Sequence, residues 1–291
     1  MELRNYIAEK RVLIEESLKK YIYNEIDAPV VREAMAYSLF AGGKRLRPIL
    51  AIMACELFNG DVKKLMPFAC SLEFIHTYSL IHDDLPAMNN DDYRRGKLTN
   101  HRVFGEGFAV LAGDALLNKA YEILLETISN DNRPEFIMAA QEISRAAGVK
   151  GMIGGQAMDL YYENKNISHE ELKNIHDKKT GALLKASLTV GALIANAPKK
   201  DMETINEYGN LIGRAFQIAD DILDIKGNKE RLGKDTGKDE KKSTYVKYFG
   251  ILESEKIAKE TVDEAKKIIS VYGDKGILFK NLADYIICRD I

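Results

Sequence analysis

Two short acidic clusters lie inside otherwise apolar segments of the chain. The first begins with Asp83 and Asp84, and the second comprises Asp220, Asp221 and Asp224. A single Asp-Asp pair is usually a solvated helix face, but carboxylates with apolar flanks are costly to bury without a counter-charge. Oxygen ligands of this kind suit Mg²⁺, which is often held by one or two carboxylates together with substrate phosphates. The two clusters therefore predict a phosphate-bearing substrate clamped by magnesium between two helices.

Helical spacing places the second cluster on one side of its helix. An α-helix turns by about 100° per residue, so Asp220 and Asp224 are one turn apart and Asp221 is close to both. Gln217 precedes Asp220 by three residues and Asp221 by four. We therefore expect all four side chains to face one cavity.

The first cluster is less regular because a proline follows it. His76 precedes Asp83 by about two turns and shares its helix face. Pro86 lacks a backbone donor, and it predicts that the helix ends near Leu85. Helical spacing consequently leaves the positions of Asp91–Asp92 open.

The segment GGKRLRP, residues 42–48, could bind an anion ahead of a predicted helix. Glycines allow backbone N–H groups to approach phosphate, and a helix N-terminus favours negative charge. Lys44, Arg45 and Arg47 add positive charge, and arginine suits forked phosphate contacts. The segment lacks the GxxxxGK[ST] pattern of a P-loop, and a solvated turn is an equally good interpretation.

Further basic residues lie at the ends of predicted helices. Arg94 and Arg95 follow the first cluster, and Lys178–Thr180 begins an apolar helix. Lys234 and Lys238 each follow a glycine in the polar stretch 227–242. That composition fits a lid over phosphate, and it fits a solvated loop equally well.

His82 and Asp83 also spell the HD pair of metal-dependent phosphohydrolases, which gives an alternative enzyme class. Such a site needs further metal-binding histidines. Apart from His76, the others are His101, His169 and His176, and none forms a second HD pair.

The composition excludes several classes of protein. Of 291 residues, 46% are hydrophobic, and 42 basic against 44 acidic side chains give a net charge of −2, so nucleic-acid binding is not indicated. The three widely spaced cysteines predict buried free thiols in a reducing compartment, with no disulfide or zinc site. The N-terminus is charged and amphipathic, and no apolar run reaches the roughly 18 residues of a membrane span. We expect a cytoplasmic protein without membrane insertion.

Apolar residues recur with helical periodicity along nearly the whole sequence. Helices are predicted at about 3–23, 29–40, 48–58, 108–128, 134–147, 151–163, 168–196, 199–226, 243–272 and 276–288. One more helix is predicted with Pro67 in its first turn and its end near Leu85. No alternating strand pattern persists, so we expect one all-α domain over residues 1–291. The polar passage 89–107 is long enough to predict a functional role.

Several segments occur together, in order, in one known family. They are GGKRLRP (42–48), HTYSLIHDDLPAM (76–88), RRGKLTNH (94–101), LAGDALL (111–117), GMIGGQAMDL (151–160), HDKKTGALL (176–184), FQIADDILD (216–224) and GKDTGKD (233–239). The sequence resembles the short-chain trans-polyprenyl diphosphate synthases over nearly its whole length, and the bacterial farnesyl diphosphate synthases most closely. This resemblance implies a bundle of long antiparallel helices around a central active-site cavity, usually assembled as a homodimer.

The resemblance also assigns roles to residues. It implies that three Mg²⁺ ions and the allylic diphosphate bind at the acidic motifs, with metal positions at Asp83, Asp84, Asn89, Asp220, Asp221 and Asp224. The implied contacts to the allylic diphosphate are Arg94, Lys179, Gln217 and Lys234. Thr180 is placed beside the reacting carbons. The implied contacts to isopentenyl diphosphate are Gly43, Lys44, Arg47, His76 and Arg95.

One departure from the family pattern affects the first motif. The family has DDxxxxD, and the last aspartate is replaced by Asn89. An amide oxygen still ligates magnesium, but one negative charge is lost, and Asp91 and Asp92 are the candidates to replace it. An inactive subunit of a heteromeric synthase is therefore a third class to consider.

The resemblance implies a magnesium-dependent prenyltransferase that makes farnesyl diphosphate from isopentenyl diphosphate and the dimethylallyl or geranyl diphosphate. In this family a bulky residue five positions before the first motif limits product length, and that residue is Tyr78. Its angular offset of about 140° from Asp83 does not by itself aim it into the cavity. Geranylgeranyl diphosphate is the alternative product, and an ordinary core tyrosine is the alternative interpretation of Tyr78.

Overall fold

The computed structural model describes residues 2–24, 27–226 and 243–288, in which nearly all regular structure is helical. The α-helices are α1 (Leu3–Tyr23), α2 (Pro29–Leu39), α3 (Leu46–Leu57), α4 (Val62–Asp83), α5 (Asn100–Phe104), α6 (Glu106–Asn130), α7 (Pro134–Ala147), α8 (Met152–Tyr161), α9 (His169–His176), α10 (Ala182–Ile194), α11 (Lys199–Lys226), α12 (Tyr245–Phe249), α13 (Ile251–Ile269) and α14 (Ile277–Ile287). A π-helical turn (Asp177–Gly181) joins α9 to α10, and a 3₁₀ segment (Ser270–Gly276) joins α13 to α14. The all-α prediction is confirmed.

Helices α3 and α10 form the centre of the bundle. Ten of the twelve residues of α3 and ten of the thirteen of α10 are buried. A helix that is buried all round belongs in the middle of a core. Helix α3 packs on α4 and α10, and α10 packs on α11. Both helices that carry acidic clusters, α4 and α11, are thus anchored on the same central pair.

A second, smaller apolar core lies beside the second acidic cluster. It contains Ile167, Leu172, Ile175, Ile218, Ile222, Tyr245, Val246 and Ala258. These residues come from α9 and the loop before it, α11, α12 and α13. Burying them against α11 brings the start of α12 next to the acidic residues.

The predicted start of α4 was wrong by about one turn. The prediction relied on Pro67, which favours the first turn of a helix. The helix instead begins at Val62, where the Asp61 side chain accepts a hydrogen bond from the Lys63 backbone N–H (2.9 Å). An aspartate cap of this kind stabilises a helix start, and Pro67 is accommodated inside the helix.

Two long predicted helices are interrupted. Residues 168–196 were predicted as one helix, but the π-helical turn divides them into α9 and α10. Residues 243–272 are divided at Gly250, where φ is 77°. Lysine, threonine and a single glycine are compatible with a helix, so neither break was evident from periodicity.

The polar passage after α4 contains a small hairpin that was not predicted. Strand β1 (Tyr93–Arg94) pairs with β2 (Lys97–Leu98) in an antiparallel register. The two-residue loop between them, Arg95 and Gly96, has φ angles of 55° and 75°. Positive φ at both positions is typical of a type I′ turn, which matches the twist of a hairpin. Arg94 is therefore the last residue of β1, and Arg95 is the first residue of the turn.

The cysteine prediction holds only in part. Cys55 and Cys70 are buried free thiols, but Cys288 is exposed. Its position one residue beyond α14 explains that exposure. The predicted lid residues Lys234 and Lys238 lie outside the described residues. Among the helices that are described, none is both long and apolar enough to cross a membrane.

Candidate active site

A cavity of about 530 Å³ lies between α3, α4, α8, the π-helical turn and α11. Both acidic clusters contribute to its wall, through Asp83 from α4 and Asp220 from α11. Its basic and polar lining includes Arg47, His76, Arg94, Arg95, Lys179 and Thr180. The cavity thus brings together carboxylates and cations from five separate segments, as expected for a site that binds metal and phosphate.

Arg94 supplies positive charge to the first cluster. Its Nε donates to both Asp84 carboxylate oxygens (2.8 and 2.9 Å), and its Nη2 lies 2.6 Å from Asp84 Oδ1. The same Nη2 lies 3.8 Å from Asp83 and 3.9 Å from Asp91. Asp84 is only 3% exposed, and its burial raises its pKa to about 6 although Arg94 acts in the opposite direction. The first cluster is therefore held close to a single guanidinium.

Asn89 lies on the first cluster. Its side-chain amide donates to Asp83 Oδ2 (2.8 Å), which leaves the amide oxygen as a separate acceptor. Of the two nearby aspartates, Asp91 is the one close to Arg94, whereas Asp92 lies 3.2 Å from Arg102 in an exposed pair. Asp91 is therefore the better placed of the two to replace the charge missing at Asn89.

Gln156 holds the other oxygen of Asp83, a role that was not predicted from the sequence. Its Nε2 donates to Asp83 Oδ1 (2.9 Å) across the cavity from α8. Asp159, one turn later on α8, forms a 2.7 Å ion pair with Lys179. These two polar residues occur three positions apart in a mostly apolar helix, which was the available signal for their role.

The second cluster divides its carboxylates between two environments. Asp220 lines the cavity, whereas Asp221 is 3% exposed and faces neighbouring protein groups. Asp221 accepts hydrogen bonds from Gln217 Nε2 (2.9 Å) and from the backbone N–H of Tyr245 (2.8 Å). Asp224 is buried one turn beyond Asp220. Helical spacing alone could not reveal that α12 provides a donor for Asp221.

The π-helical turn presents two consecutive side chains to the cavity. Lys179 and Thr180 both line it, although adjacent residues of an α-helix point about 100° apart. Insertion of a π turn widens the helix locally and is frequent at functional sites. Lys179 is oriented by Asp159, and the Thr180 hydroxyl donates to Gln217 Oε1 (2.7 Å). A chain of contacts thus runs from Thr180 through Gln217 to Asp221.

Arg47 and His76 form a basic region deeper in the cavity. Arg47 is 8% exposed, and its Nε has no hydrogen-bond acceptor among the residues that the structure describes. Burial lowers the pKa of Arg47 to about 10, which still leaves it charged at neutral pH. Desolvation, with Arg47 and Arg95 nearby, holds the pKa of His76 well below its usual range, so His76 is neutral. A buried cation with an unused donor indicates an anionic ligand.

Gly43 makes room for Arg95. A Cβ atom at Gly43, where φ is 121°, would lie 2.7 Å from the Arg95 guanidinium carbon. Arg95 Nη1 donates to the Gly42 carbonyl. Lys44, by contrast, is exposed and lies over the Tyr285 ring at 5.0 Å from its centroid. Within segment 42–48, Gly43 therefore shapes the site, while Lys44 lies outside the cavity lining.

Arg45 has a structural position within the same segment. It is 2% exposed, and its guanidinium donates to Glu73 (2.8 Å) and to the Leu39 carbonyl (2.6 Å). Breaking a buried ion pair of this type costs about 3–5 kcal/mol. Arg45 anchors the segment on α4, which leaves Arg47 directed to the cavity.

Tyr78 lines the cavity five residues before Asp83. It is 5% exposed, and burial raises its pKa to about 12, so the phenol is neutral. Its hydroxyl has no hydrogen-bond partner among the described residues. The resemblance placed this side chain in the cavity wall, whereas helical spacing alone did not.

The donor set fits magnesium only in combination with another ligand. The carboxylates that line the cavity provide hard oxygen donors, but the described residues contain no group of three His, Cys, Asp or Glu that could hold a metal ion by itself. An ion bound there needs additional oxygens, which the phosphate of a substrate supplies. His82 Nε2 lies 3.1 Å from the Val110 carbonyl, which argues against the HD phosphohydrolase alternative.

Comparison with known proteins agrees with this geometry. Residues 28–274 match the family described as polyprenyl synthetase. The chain is 45% identical to a geranylgeranyl diphosphate synthase of Cyanophora paradoxa (99% of this chain, 97% of that protein) and 41% identical to the farnesyl diphosphate synthase of Bacillus subtilis (99% of each). A solved geranyltransferase of Helicobacter pylori, complexed with magnesium and isoprenyl diphosphate, superposes with a TM-score of 0.87 at 30% identity, covering 99% of this chain and 97% of that one. The chain therefore belongs to the polyprenyl synthetase family and is a short-chain prenyltransferase.

Proposed function

We propose that the protein is a magnesium-dependent farnesyl diphosphate synthase. The observation that carries this proposal is a cavity with carboxylates on two opposing helices. Its wall also contains the buried Arg47, whose Nε has no hydrogen-bond partner among the described residues, and the bulky Tyr78. The first two features suit two diphosphates and divalent ions. The third suits a prenyl chain of limited length.

In this proposal Asp83, Asp84 and Asp220 are metal ligands, and Asp224, one turn beyond Asp220, is a further ligand. Three magnesium ions are expected in total. When bound, magnesium stabilises the negative charge that develops on the departing diphosphate. Asn89 and Asp221 also belong to the predicted metal set. Asn89 would act through its side-chain amide oxygen, while the hydrogen bonds of Asp221 favour a positioning role.

The allylic diphosphate is proposed to lie against Arg94, Lys179 and Gln217. Lys234, which lies outside the described residues, completes this set by resemblance. Lys179 and Arg94 each have a carboxylate partner, so their orientation is fixed before substrate arrives. Preorganised cations of this kind stabilise charge without a reorganisation cost.

Isopentenyl diphosphate is proposed to bind Arg47, His76 and Arg95. The unused Arg47 donor supports this assignment, and a neutral His76 donates one hydrogen bond without adding charge. Gly43 supports Arg95 by leaving space for it, and Lys44 reaches this diphosphate only if it leaves the Tyr285 ring.

The reaction then follows from charge. The allylic C–O bond breaks, and its electron pair leaves with the diphosphate. The double bond of isopentenyl diphosphate attacks the resulting cation and forms a C–C bond. A proton is finally lost to the released diphosphate, so no protein base is required. Thr180 lies beside the reacting carbons, and exclusion of water protects the cation from conversion to an alcohol.

Product analysis tests the proposal. Incubation of the purified protein with Mg²⁺, dimethylallyl diphosphate and excess isopentenyl diphosphate should give farnesyl diphosphate by mass spectrometry. A twenty-carbon product would favour geranylgeranyl diphosphate synthase, a name that a relative also carries. Tyr78→Ala should lengthen the product. Binding of both substrates without any prenyl product would instead favour a non-catalytic subunit.

We further propose a cytoplasmic homodimer. Helix α6 exposes Phe108, Val110 and Leu111, each at least 41% exposed, and exposed apolar side chains on one helix support association. Sedimentation analysis tests this assembly, and a single species with the mass of one chain would contradict it.

A further inference from the structure

The ring of His82 supports Tyr78 at the cavity wall. Both side chains line the cavity, and their rings meet edge to face, with centroids 5.7 Å apart and planes at 80°. His82 Nε2 lies 3.1 Å from the carbonyl oxygen of Val110 in α6. His82 therefore connects Tyr78 to α6, and neither the substrates nor the metal sites proposed above account for it.

Gly113 makes this contact possible. A Cβ atom at Gly113 would lie 2.1 Å from His82 Nε2 and 2.4 Å from its Cδ2. Both distances are far below van der Waals contact, so any larger residue displaces the ring. Since Gly113 and Val110 are both on α6, displacement also breaks the hydrogen bond to Val110. The ring can then move only away from α6, towards Tyr78 and the cavity.

We propose that His82 is a second determinant of product length and that Gly113 is its positioning residue. This inference rests on the proposed function, because it concerns the space available to the growing prenyl chain. Tyr78 and His82 form one unit in the cavity wall, and α6 holds that unit at a fixed depth. The wall is consequently set by two helices, and Tyr78 is only one component of it.

Opposite substitutions should change product length in opposite directions. His82→Ala removes a ring from the wall and leaves Tyr78 without its neighbour, so longer chains fit. Gly113→Ala pushes the His82 ring towards the cavity, so shorter chains accumulate. In the double variant the new methyl group meets no ring. Gly113→Ala should therefore have little effect when His82 is already alanine, since residues in contact are not additive.

The experiment measures product distributions by mass spectrometry at excess isopentenyl diphosphate, together with total turnover. The wild type, both single variants and the double variant are compared, with His82→Phe as the matched control. Phenylalanine keeps a ring without the hydrogen bond, so its products should be no longer than those of the wild type. We expect the twenty-carbon fraction to rise several-fold in His82→Ala and the ten-carbon fraction to rise in Gly113→Ala.

Two results would overturn the inference. One is a His82→Ala variant with the same product distribution as a wild type that makes prenyl products. The other is a Gly113→Ala effect of equal size with and without the His82 ring. If Gly113→Ala alone fails to fold, a folded double variant with the products of His82→Ala supports the contact, and different products contradict it. A wild type that makes no prenyl product would refute the proposed function instead.

Discussion

The first acidic cluster lies against a guanidinium, and Asp221 of the second accepts hydrogen bonds from two neutral donors of the described chain. Arg94 contacts Asp84 through two nitrogens and lies within 4 Å of Asp83 and Asp91. Asp221 is instead fixed by the Gln217 amide and the Tyr245 backbone N–H. Two motifs that look alike in sequence therefore differ in the contacts that the described residues make with them.

This difference suggests separate roles for the carboxylates, some in binding ligand and others in stabilising the fold. Carboxylates at the C-terminus of α4 are opposed by the helix dipole, so the first cluster needs positive charge from Arg94 or a metal. The second cluster contains Asp220 in the cavity and Asp221 in the protein interior. We infer that Asp83 and Asp220 serve the ligand, while Asp221 fixes the position of α12 on α11.

The largest expected effect is on turnover. Asp83→Asn and Asp220→Asn preserve shape but remove one charge each from opposite walls. Each should lower kcat by about 10²-fold or more, because electrostatic stabilisation of a leaving group is of this size. Steady-state kinetics at saturating Mg²⁺ measures the loss. If only one of the two variants is impaired, the clusters do not act on the same ligand.

Asp221→Ala should mainly affect stability. It leaves the buried Tyr245 N–H without its acceptor, which costs about 1–3 kcal/mol. Chemical denaturation measures this cost, and Asp220→Ala on the same helix is the matched control. Equal stability of both variants would show that the Asp221 contacts contribute little to folding.

Gln156→Leu should weaken metal binding without unfolding the protein. Gln156 orients Asp83, and loss of an outer-shell partner typically lowers metal affinity by about 10–100-fold. Activity titrated against Mg²⁺ should therefore require more metal. Gln141→Leu, at an exposed position of α7, is the control. An unshifted titration curve would remove Gln156 from the metal site.

The smallest effects should separate Asp91 from Asp92. Asp91 lies near Arg94, whereas Asp92 forms an exposed pair with Arg102. Exposed pairs contribute about 0–1 kcal/mol, so Asp92→Ala should leave activity nearly unchanged. Asp91→Ala should measurably raise the Mg²⁺ requirement. If Asp92→Ala raised the Mg²⁺ requirement more than Asp91→Ala, Asp92 would be the residue that replaces the charge missing at Asn89.

Periodicity and motifs were sufficient to predict the helical fold and one carboxylate of each cluster, Asp83 and Asp220, at a shared cavity. The expectation that Gln217, Asp221 and Asp224 line that cavity as well was wrong. They could not show that Asp221 is bound by Tyr245, because that donor lies 24 residues away and reaches α11 through the small core. The π-helical turn at Lys179 was also hidden, since its residues are compatible with an ordinary helix. Spacing failed for Tyr78 as well, where resemblance supplied the correct orientation. Local rules thus located the elements, and tertiary contacts decided which side chains line the cavity.

The most direct test of the account is the dependence of prenyl transfer on divalent metal. The central claim is that carboxylates on α4 and α11 hold a diphosphate through magnesium and thereby remove it from carbon. The initial rate with isopentenyl and dimethylallyl diphosphates is measured in excess chelator and again after Mg²⁺ is restored. Product should be lost in chelator and fully recovered when Mg²⁺ is restored. An equal rate in both conditions would contradict the central claim.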